Sequence, residues 1–315
     1  MTMKYYEIPH TNMRQSAVIQ GCMRFKGMSS TEVEQIVNLC LENGINSFDH
    51  ADVYGTAGMR GECEQLFGQV LKENPGLRDK VYIQSKCGIC KSEQDYYDFS
   101  KEHILEAVDG ILTRLQTEYL DALLLHRPDT LMEPEEVADA FETLHKAGKV
   151  RYFGVSNMNP GQVELLDRAV DAPLVFNQLQ LSIAHCPMID TGLSVNNRIP
   201  QAVDYEGGIL EYSRLKAMTI QAWSPFQKGL FEGPFLTDWE TYGELNAYID
   251  QLAEKYNVTN TAIAVAWILR HPAHMQVILG TTNQKRIADA CQGADITLTR
   301  EEWYTLYAKA GKRIL

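Results

Sequence analysis

Short apolar runs and amphipathic helical stretches alternate about eight times along this 315-residue chain. The clearest pair sits mid-chain. After Ser100, a capping residue type, Ile104, Ala107, Val108, Ile111, Leu112 and Leu115 recur on one helical face. Ala122-Leu123-Leu124-Leu125-His126 then follows. A run apolar on both faces is the pattern of a parallel strand covered by helices. Sustained alternation requires a parallel sheet, and eight units favour closure into a (β/α)8 TIM barrel. The length, slightly above the usual ~250 residues, fits one such domain over residues 1–315. The structural alternative is an open doubly wound sheet. It is weakened because no Gly-x-Gly-x-x-Gly turn follows an early strand.

The other units follow in order. Ala17-Val18-Ile19 leads to Gly21, and Thr31 with Glu34 has the spacing of a helix capping box. Val33, Ile36, Val37, Cys40 and Leu41 form the inner face of that helix, and Gly44 stops it. A strand over Ile45–Asp49 and a helix over Glu62–Lys72 come next, then a strand over Val81–Lys86. Beyond the central pair, a helix over Glu135–Lys146, a strand over Val150–Val155 and a helix from Pro160 are expected. Leu174–Phe176 and Thr219–Ala222 read as strands, separated by a long irregular stretch, Ser182–Tyr205, and a helix over Ile209–Leu215. Helices over Tyr242–Tyr256 and Thr261–Arg270, a strand over Gln276–Leu279, and a closing helix over Glu301–Ala308 complete the pattern.

Charge and cysteine usage narrow the partners. The formal net charge of -12 argues against nucleic acid, whose binding rests on Lys and Arg neutralising phosphates. No apolar run reaches the ~20 residues of a membrane span. Met1–Asn12 has no basic-then-apolar signal pattern. Seven scattered cysteines read as free thiols in a reducing, cytoplasmic setting. Cys87-Gly88-Ile89-Cys90 has redox-motif spacing without a thioredoxin-like context, and His185-Cys186 alone is too little for a metal site, so no metal is expected.

The strand ends carry the chemistry, because side chains at the C-terminal ends of barrel strands converge on one face. Those ends are Asp49 with Tyr54 just beyond, Lys86, His126, Ser156 with Asn157, Gln178, Trp223 with Ser224, and Gly280 with Thr281. A tyrosine hydroxyl ordinarily titrates near 10, and a lysine ammonium beside it favours the phenolate. An aspartate holds that lysine charged. A histidine nearby can hydrogen-bond a carbonyl oxygen. The set suits protonation of an alkoxide as it forms at a carbonyl carbon. Hydrolysis is a poorer fit, since no serine or cysteine nucleophile stands there with its own base. The missing partner is an electron-pair donor; no side chain transfers hydride, and a nicotinamide cofactor would supply it. Ser156, Asn157 and Gln178 can hold its carboxamide, and Trp223 offers a flat face to its ring. Gly280-Thr281-Thr282-Asn283 opens a helix where such barrels bind phosphate, with Arg286 one turn in. Each of these has a plain structural alternative: Gln178 bridging backbone groups, Trp223 in the core, Arg286 as a solvated helix cation.

These residues together resemble the aldo-keto reductase family. The resemblance runs from Gly21 to about Arg300. It is carried by Gly44–Gly55, Ser85-Lys86, Leu124-Leu125-His126-Arg127-Pro128-Asp129, Gly154-Val155-Ser156-Asn157, Asn177-Gln178, Ala222-Trp223-Ser224-Pro225 and Gly280–Asn283 with Arg286. It implies an NADP(H)-dependent reductase of aldehydes or ketones, with Asp49, Tyr54, Lys86 and His126 as catalytic tetrad and Tyr54 as proton donor. It places Gly21, Cys22, Met23, Arg24, Ser224, Pro225, Gly229, Leu230, Gly280, Thr281 and Thr282 near the cofactor. Met23 stands where many members carry tryptophan, and Trp223 where tyrosine or phenylalanine is usual. Gly280 replaces a lysine that contacts the 2′-phosphate in many members, which leaves Arg286 to favour NADP(H) and keeps NAD(H) possible. The long C-terminal loop of some members is expected to be short or absent, and the resemblance leans towards a monomer. Two other readings stay open. One is a nucleotide-binding redox sensor with little turnover; the other is a lyase or isomerase using Lys86 as a Schiff base.

Overall fold

The structure is a computed structural model and describes residues 2–314. Eight parallel strands close into a barrel: β1 (Val18–Gly21), β2 (Ser47–Asp49), β3 (Tyr82–Cys87), β4 (Leu120–Leu125), β5 (Val150–Ser156), β6 (Leu174–Gln180), β7 (Thr219–Trp223) and β8 (Gln276–Leu279). Each pairs with the next in sequence. The ring closes where Val277 pairs with Val18 and Leu279 with Gln20. Gly21 is needed at that seam: a Cβ there would lie 2.6 Å from the Leu279 carbonyl oxygen. The expected (β/α)8 fold is therefore the observed one. Every residue of β4 is buried, as its unbroken apolar run requires.

The helices are α1 (Ser30–Glu42), α2 (Glu62–Glu73), α3 (Lys101–Leu115), α4 (Pro134–Lys146), α5 (Pro160–Asp167), α6 (Pro187–Leu193), α7 (Ile209–Leu215), α8 (Trp239–Tyr256), α9 (Asn260–Leu269), α10 (Gln284–Gln292) and α11 (Arg300–Lys309). Three local expectations are corrected. The capping box of α1 is Ser29 with Glu32, which starts the helix two residues earlier than a Thr31 cap would; Glu34 instead accepts a hydrogen bond from Asn74 Nδ2 at 2.8 Å. The Ser182–Tyr205 stretch is not wholly irregular, because Pro187 starts the short helix α6. The helix expected from Tyr242 begins at Trp239, capped by Asp238, whose carboxylate accepts from Thr241 N; Tyr242 itself breaks the helix (φ -117°).

The barrel interior holds a glutamine lattice that periodicity did not foretell. Gln84, Gln178, Gln221 and Gln276 are all buried. Gln84 Nε2 and Gln178 Nε2 each donate to Gln221 Oε1 at 2.9 Å. Gln221 Nε2 donates to Gln276 Oε1 at 3.0 Å, and Gln276 Nε2 to Gln15 Oε1 at 3.1 Å. Buried amides are tolerated there because they satisfy one another. The chain of amides runs up from Gln15, in the N-terminal hairpin of Tyr5–Glu7 and Arg14–Ser16, and stops at Asp49.

Candidate active site

Because all eight strands run parallel, their last residues share one rim. Asp49 ends β2, Lys86 lies near the end of β3, His126 follows β4, Ser156 ends β5, Trp223 ends β7 and Gly280 follows β8. Tyr54 comes from the loop after β2. Four of the expected site residues meet closely. Lys86 Nζ donates to Asp49 Oδ2 at 2.8 Å, to the His50 carbonyl at 2.7 Å and to the Tyr54 hydroxyl at 3.3 Å. The His126 ring stands edge-on to Tyr54, with centroids 5.9 Å apart. Lys86 is 1% and Asp49 3% exposed, so this ion pair is desolvated and has no competing water.

Asp49 is held from two sides. Its Oδ1 accepts from Gln84 Nε2 at 2.8 Å and from Gln178 Nε2 at 2.7 Å, while Oδ2 takes the lysine. Gln84 and Gln221, which anchor this arrangement, were missed in the sequence. The only available signal was period: in β3 and β7 they face the same way as the rim residues but lie one layer deeper. Gln178, expected at the cofactor carboxamide, uses its amide nitrogen inward on Asp49 and Gln221.

The titration directions follow from this packing. Burial alone would push Lys86 down, but Asp49 and the Tyr54 hydroxyl outweigh it and hold the ammonium above its ordinary range. For Tyr54, burial raises the phenol and Lys86 offsets only part of that, so the net direction is upward. The simple expectation of a lowered tyrosine does not hold in this setting; the hydroxyl keeps its proton at neutral pH. Burial, with the nearby charges of Lys86, Arg127 and Arg60, drives His126 well below the usual histidine range, leaving a neutral imidazole. That ring can donate a hydrogen bond but does not carry a charge to the reaction.

A cleft of about 750 Å³ opens over this group. Of the expected residues, Gly21, Met23, Asp49, Tyr54, His126, Ser156, Asn157, Gln178, Trp223, Ser224, Leu230 and Gly280 line it. Lys86 stands behind Tyr54. Cys22, Arg24, Pro225, Gly229, Thr281, Thr282 and Arg286 do not line it, and Cys22 is fully buried. On the far wall the backbone is strained at two strand ends, with Asn157 at φ 59° and Ser224 at φ 52°. Asn157 Nδ2 donates to Ser156 Oγ at 2.7 Å, and Trp223 Nε1 donates to Asn157 Oδ1 at 3.1 Å. These bonds fix the indole edge, and the Arg127 guanidinium lies over the ring, 5.6 Å from its centroid.

The expected phosphate end looks different. Asn283 caps α10, its side chain accepting from Arg286 N at 3.0 Å, and the Arg286 side chain is exposed. Nothing lies within 4 Å of a Cβ placed on Gly280, so that position opens onto free space. A polar wall and an indole in the cleft, with the capped N-terminus of α10 a few residues past Gly280, would suit a nicotinamide dinucleotide. The seven cysteines are all free and buried; Cys90 turns from Cys87 towards His103, Sγ to Nε2 3.6 Å.

Known proteins agree with this architecture. The model of the aldo/keto reductase family matches residues 17–310. The chain is 34% identical over 311 residues to the 6-dehydroglucose reductase of Agrobacterium fabrum, covering 95% of this chain and 96% of that protein. It is 29% identical to a protein of the same name from Novosphingobium aromaticivorans, covering 98% and 97%. Among solved structures, the thermostable aldo-keto reductase Tm1743 in complex with the inhibitor epalrestat superposes with a TM-score of 0.77 at 23% identity, over 98% of this chain and 100% of that one; this likeness bears on the fold. The chain belongs to the aldo/keto reductase family of oxidoreductases.

Proposed function

We propose that this chain reduces aldehyde or ketone carbonyls to alcohols with NADP(H), and that Tyr54 gives the proton. The observation that carries the reading is the buried Lys86, which donates to Asp49 and to the Tyr54 hydroxyl at once. When bound, a reduced nicotinamide supplies the hydride. Ser156, Asn157 and Gln178 would hold its carboxamide, Trp223 would face its ring, and Arg286 would meet the phosphate of the nucleotide end. The chain's own residues do the rest. Tyr54 and neutral His126 hydrogen-bond the substrate oxygen and polarise the carbonyl. As negative charge grows on that oxygen, the Tyr54 proton passes to it. Lys86 stabilises the phenolate left behind, and Asp49 keeps Lys86 charged and in place. The glutamines below prevent Asp49 from turning away.

NADPH oxidation, with formation of the matching alcohol, across a panel of aldehydes, ketones and quinones tests this reading. A polyhydroxylated aldehyde belongs in the panel, given the name of two relatives. Tight NADPH binding with no consumption by any member would favour a nucleotide sensor instead. Borohydride trapping of substrate on Lys86 without nicotinamide would favour a Schiff-base lyase.

A further inference from the structure

A second cavity of about 370 Å³ adjoins the cleft and shares Arg127, Asn157, Trp223 and Leu230 with it. Its lining also includes Gln180 and His185. Asn157, Asn159 and Gln162 on its wall are already hydrogen-bonded and Glu206 adds a carboxylate, but Gln180, Arg127 and His185 stand apart. Gln180 Nε2 is buried with no hydrogen-bond partner. Arg127 is half-buried, is paired with no carboxylate among the described residues, and rests over the Trp223 ring at 5.6 Å from its centroid. The His185 imidazole is pushed down by burial and so is neutral near pH 7, able to donate or accept.

A buried amide without a partner costs about 1–3 kcal/mol, and a ligand oxygen placed on it would remove that cost. A guanidinium offers a fork of donors suited to a carboxylate or to neighbouring hydroxyls. A hydrocarbon tail would desolvate all three groups and repay nothing. Arg127 follows His126 directly in sequence, so a carbonyl lying at Tyr54 and His126 has this cavity beside it.

We propose that Arg127, Gln180 and His185 form a subsite for an oxygen-rich substrate tail, one that bears hydroxyl or carboxylate groups beyond the reacting carbonyl. The proposal rests on the reductase reading and narrows its substrate class. It sets the specificity of the site; it adds nothing to the chemical step.

The test uses the whole chain with NADPH and two matched pairs: D-glyceraldehyde against propanal, and succinic semialdehyde against butanal. In the wild type, kcat/KM is expected to favour the oxygenated member of at least one pair by on the order of tenfold or more. Arg127→Leu should cut that preference by on the order of tenfold, with the loss mainly in KM, and Arg127→Lys should restore part of it. Gln180→Leu, which removes no charge, should cut it by roughly threefold. A greater loss for succinic semialdehyde assigns the subsite to a carboxylate; a greater loss for D-glyceraldehyde assigns it to hydroxyls. Absence of any preference in the wild type overturns the subsite and leaves the reductase reading intact. So does an equal loss for both members of a pair in the variants. Absence of NADPH oxidation with all four aldehydes removes the reductase reading itself, and the subsite with it.

Discussion

At the tyrosine end of the cleft, Asp49 accepts three hydrogen bonds and Lys86 donates three, all within a buried rim. At the expected phosphate end, Arg286 lies exposed on the first turn of α10 and Gly280 fronts open space. The contrast matches two physical tasks. Stabilising charge that appears during a reaction requires groups fixed beforehand in a dry site, because reorganising them in the transition state would raise the barrier. Holding a charged nucleotide requires only complementary charge and a helix N-terminus, which surface side chains supply once the ligand arrives. The amide lattice extends the rigid end down through the barrel, whereas at the expected phosphate end a single buried amide, Gln20 Nε2, donates to the Thr281 carbonyl at 3.1 Å.

Perturbing the rigid end should have the largest effects. Lys86→Met removes the partner of both Asp49 and Tyr54, so kcat is expected to fall by on the order of 10³ or more, measured by NADPH oxidation. The same change leaves a buried carboxylate without its counter-ion and should destabilise the fold by about 3–5 kcal/mol in urea unfolding. Retention of more than roughly a tenth of kcat would break the contrast, since general acid–base assistance alone is usually worth more.

Gln221→Leu cuts the lattice at its centre, where Gln84, Gln178 and Gln276 all meet it. The stranded amides should cost about 1–3 kcal/mol of stability. An unchanged unfolding midpoint would show that the lattice is incidental. His50 sharpens the same point. Its ring is fully buried with neither nitrogen partnered, and burial holds it down to about 3 from an ordinary 6.5. The unfolded chain therefore binds the proton first, so this contribution is complete above pH 6.5 and is lost as pH falls from 6.5 towards 3. His50→Leu should flatten the loss by about 1.4 kcal/mol per pH unit across that window, read from unfolding curves. An unaltered pH slope would refute the assignment. The smallest effect belongs to the open end. Arg286→Ala should raise the KM for NADPH by roughly tenfold, leave that for NADH nearly unchanged, and shift stability by less than about 0.5 kcal/mol.

Which parts were legible in the sequence follows the same division. The barrel was legible because each unit announces itself by period, with β4 as the plainest case. Asp49, Tyr54, Lys86 and His126 were legible only as a group: one titratable residue at a strand end is more often structural, but several on one barrel face point to a site. The glutamines were not. A lone glutamine in an apolar strand looks the same whether it meets water or another amide, and only the register of β2, β3, β6, β7 and β8 brings the partners together. The capping box slipped by two residues because Ser29–Glu32 and Thr31–Glu34 have the same spacing. Arg127 was visible as part of a motif, yet its lack of a carboxylate partner is a property of the folded rim. The direction of the Tyr54 shift was likewise hidden, since it depends on how much burial outweighs the neighbouring ammonium.

The most direct test of the central claim is Tyr54→Phe, assayed for hydride transfer in a single turnover and, separately, for NADPH affinity by fluorescence titration. The hydroxyl is the only atom lost, and the ring packing against His126 remains. The account predicts cofactor affinity within about twofold of the wild type and chemistry slowed by on the order of 10² to 10⁴. A hydride-transfer rate close to that of the wild type would contradict it, whatever the cofactor affinity.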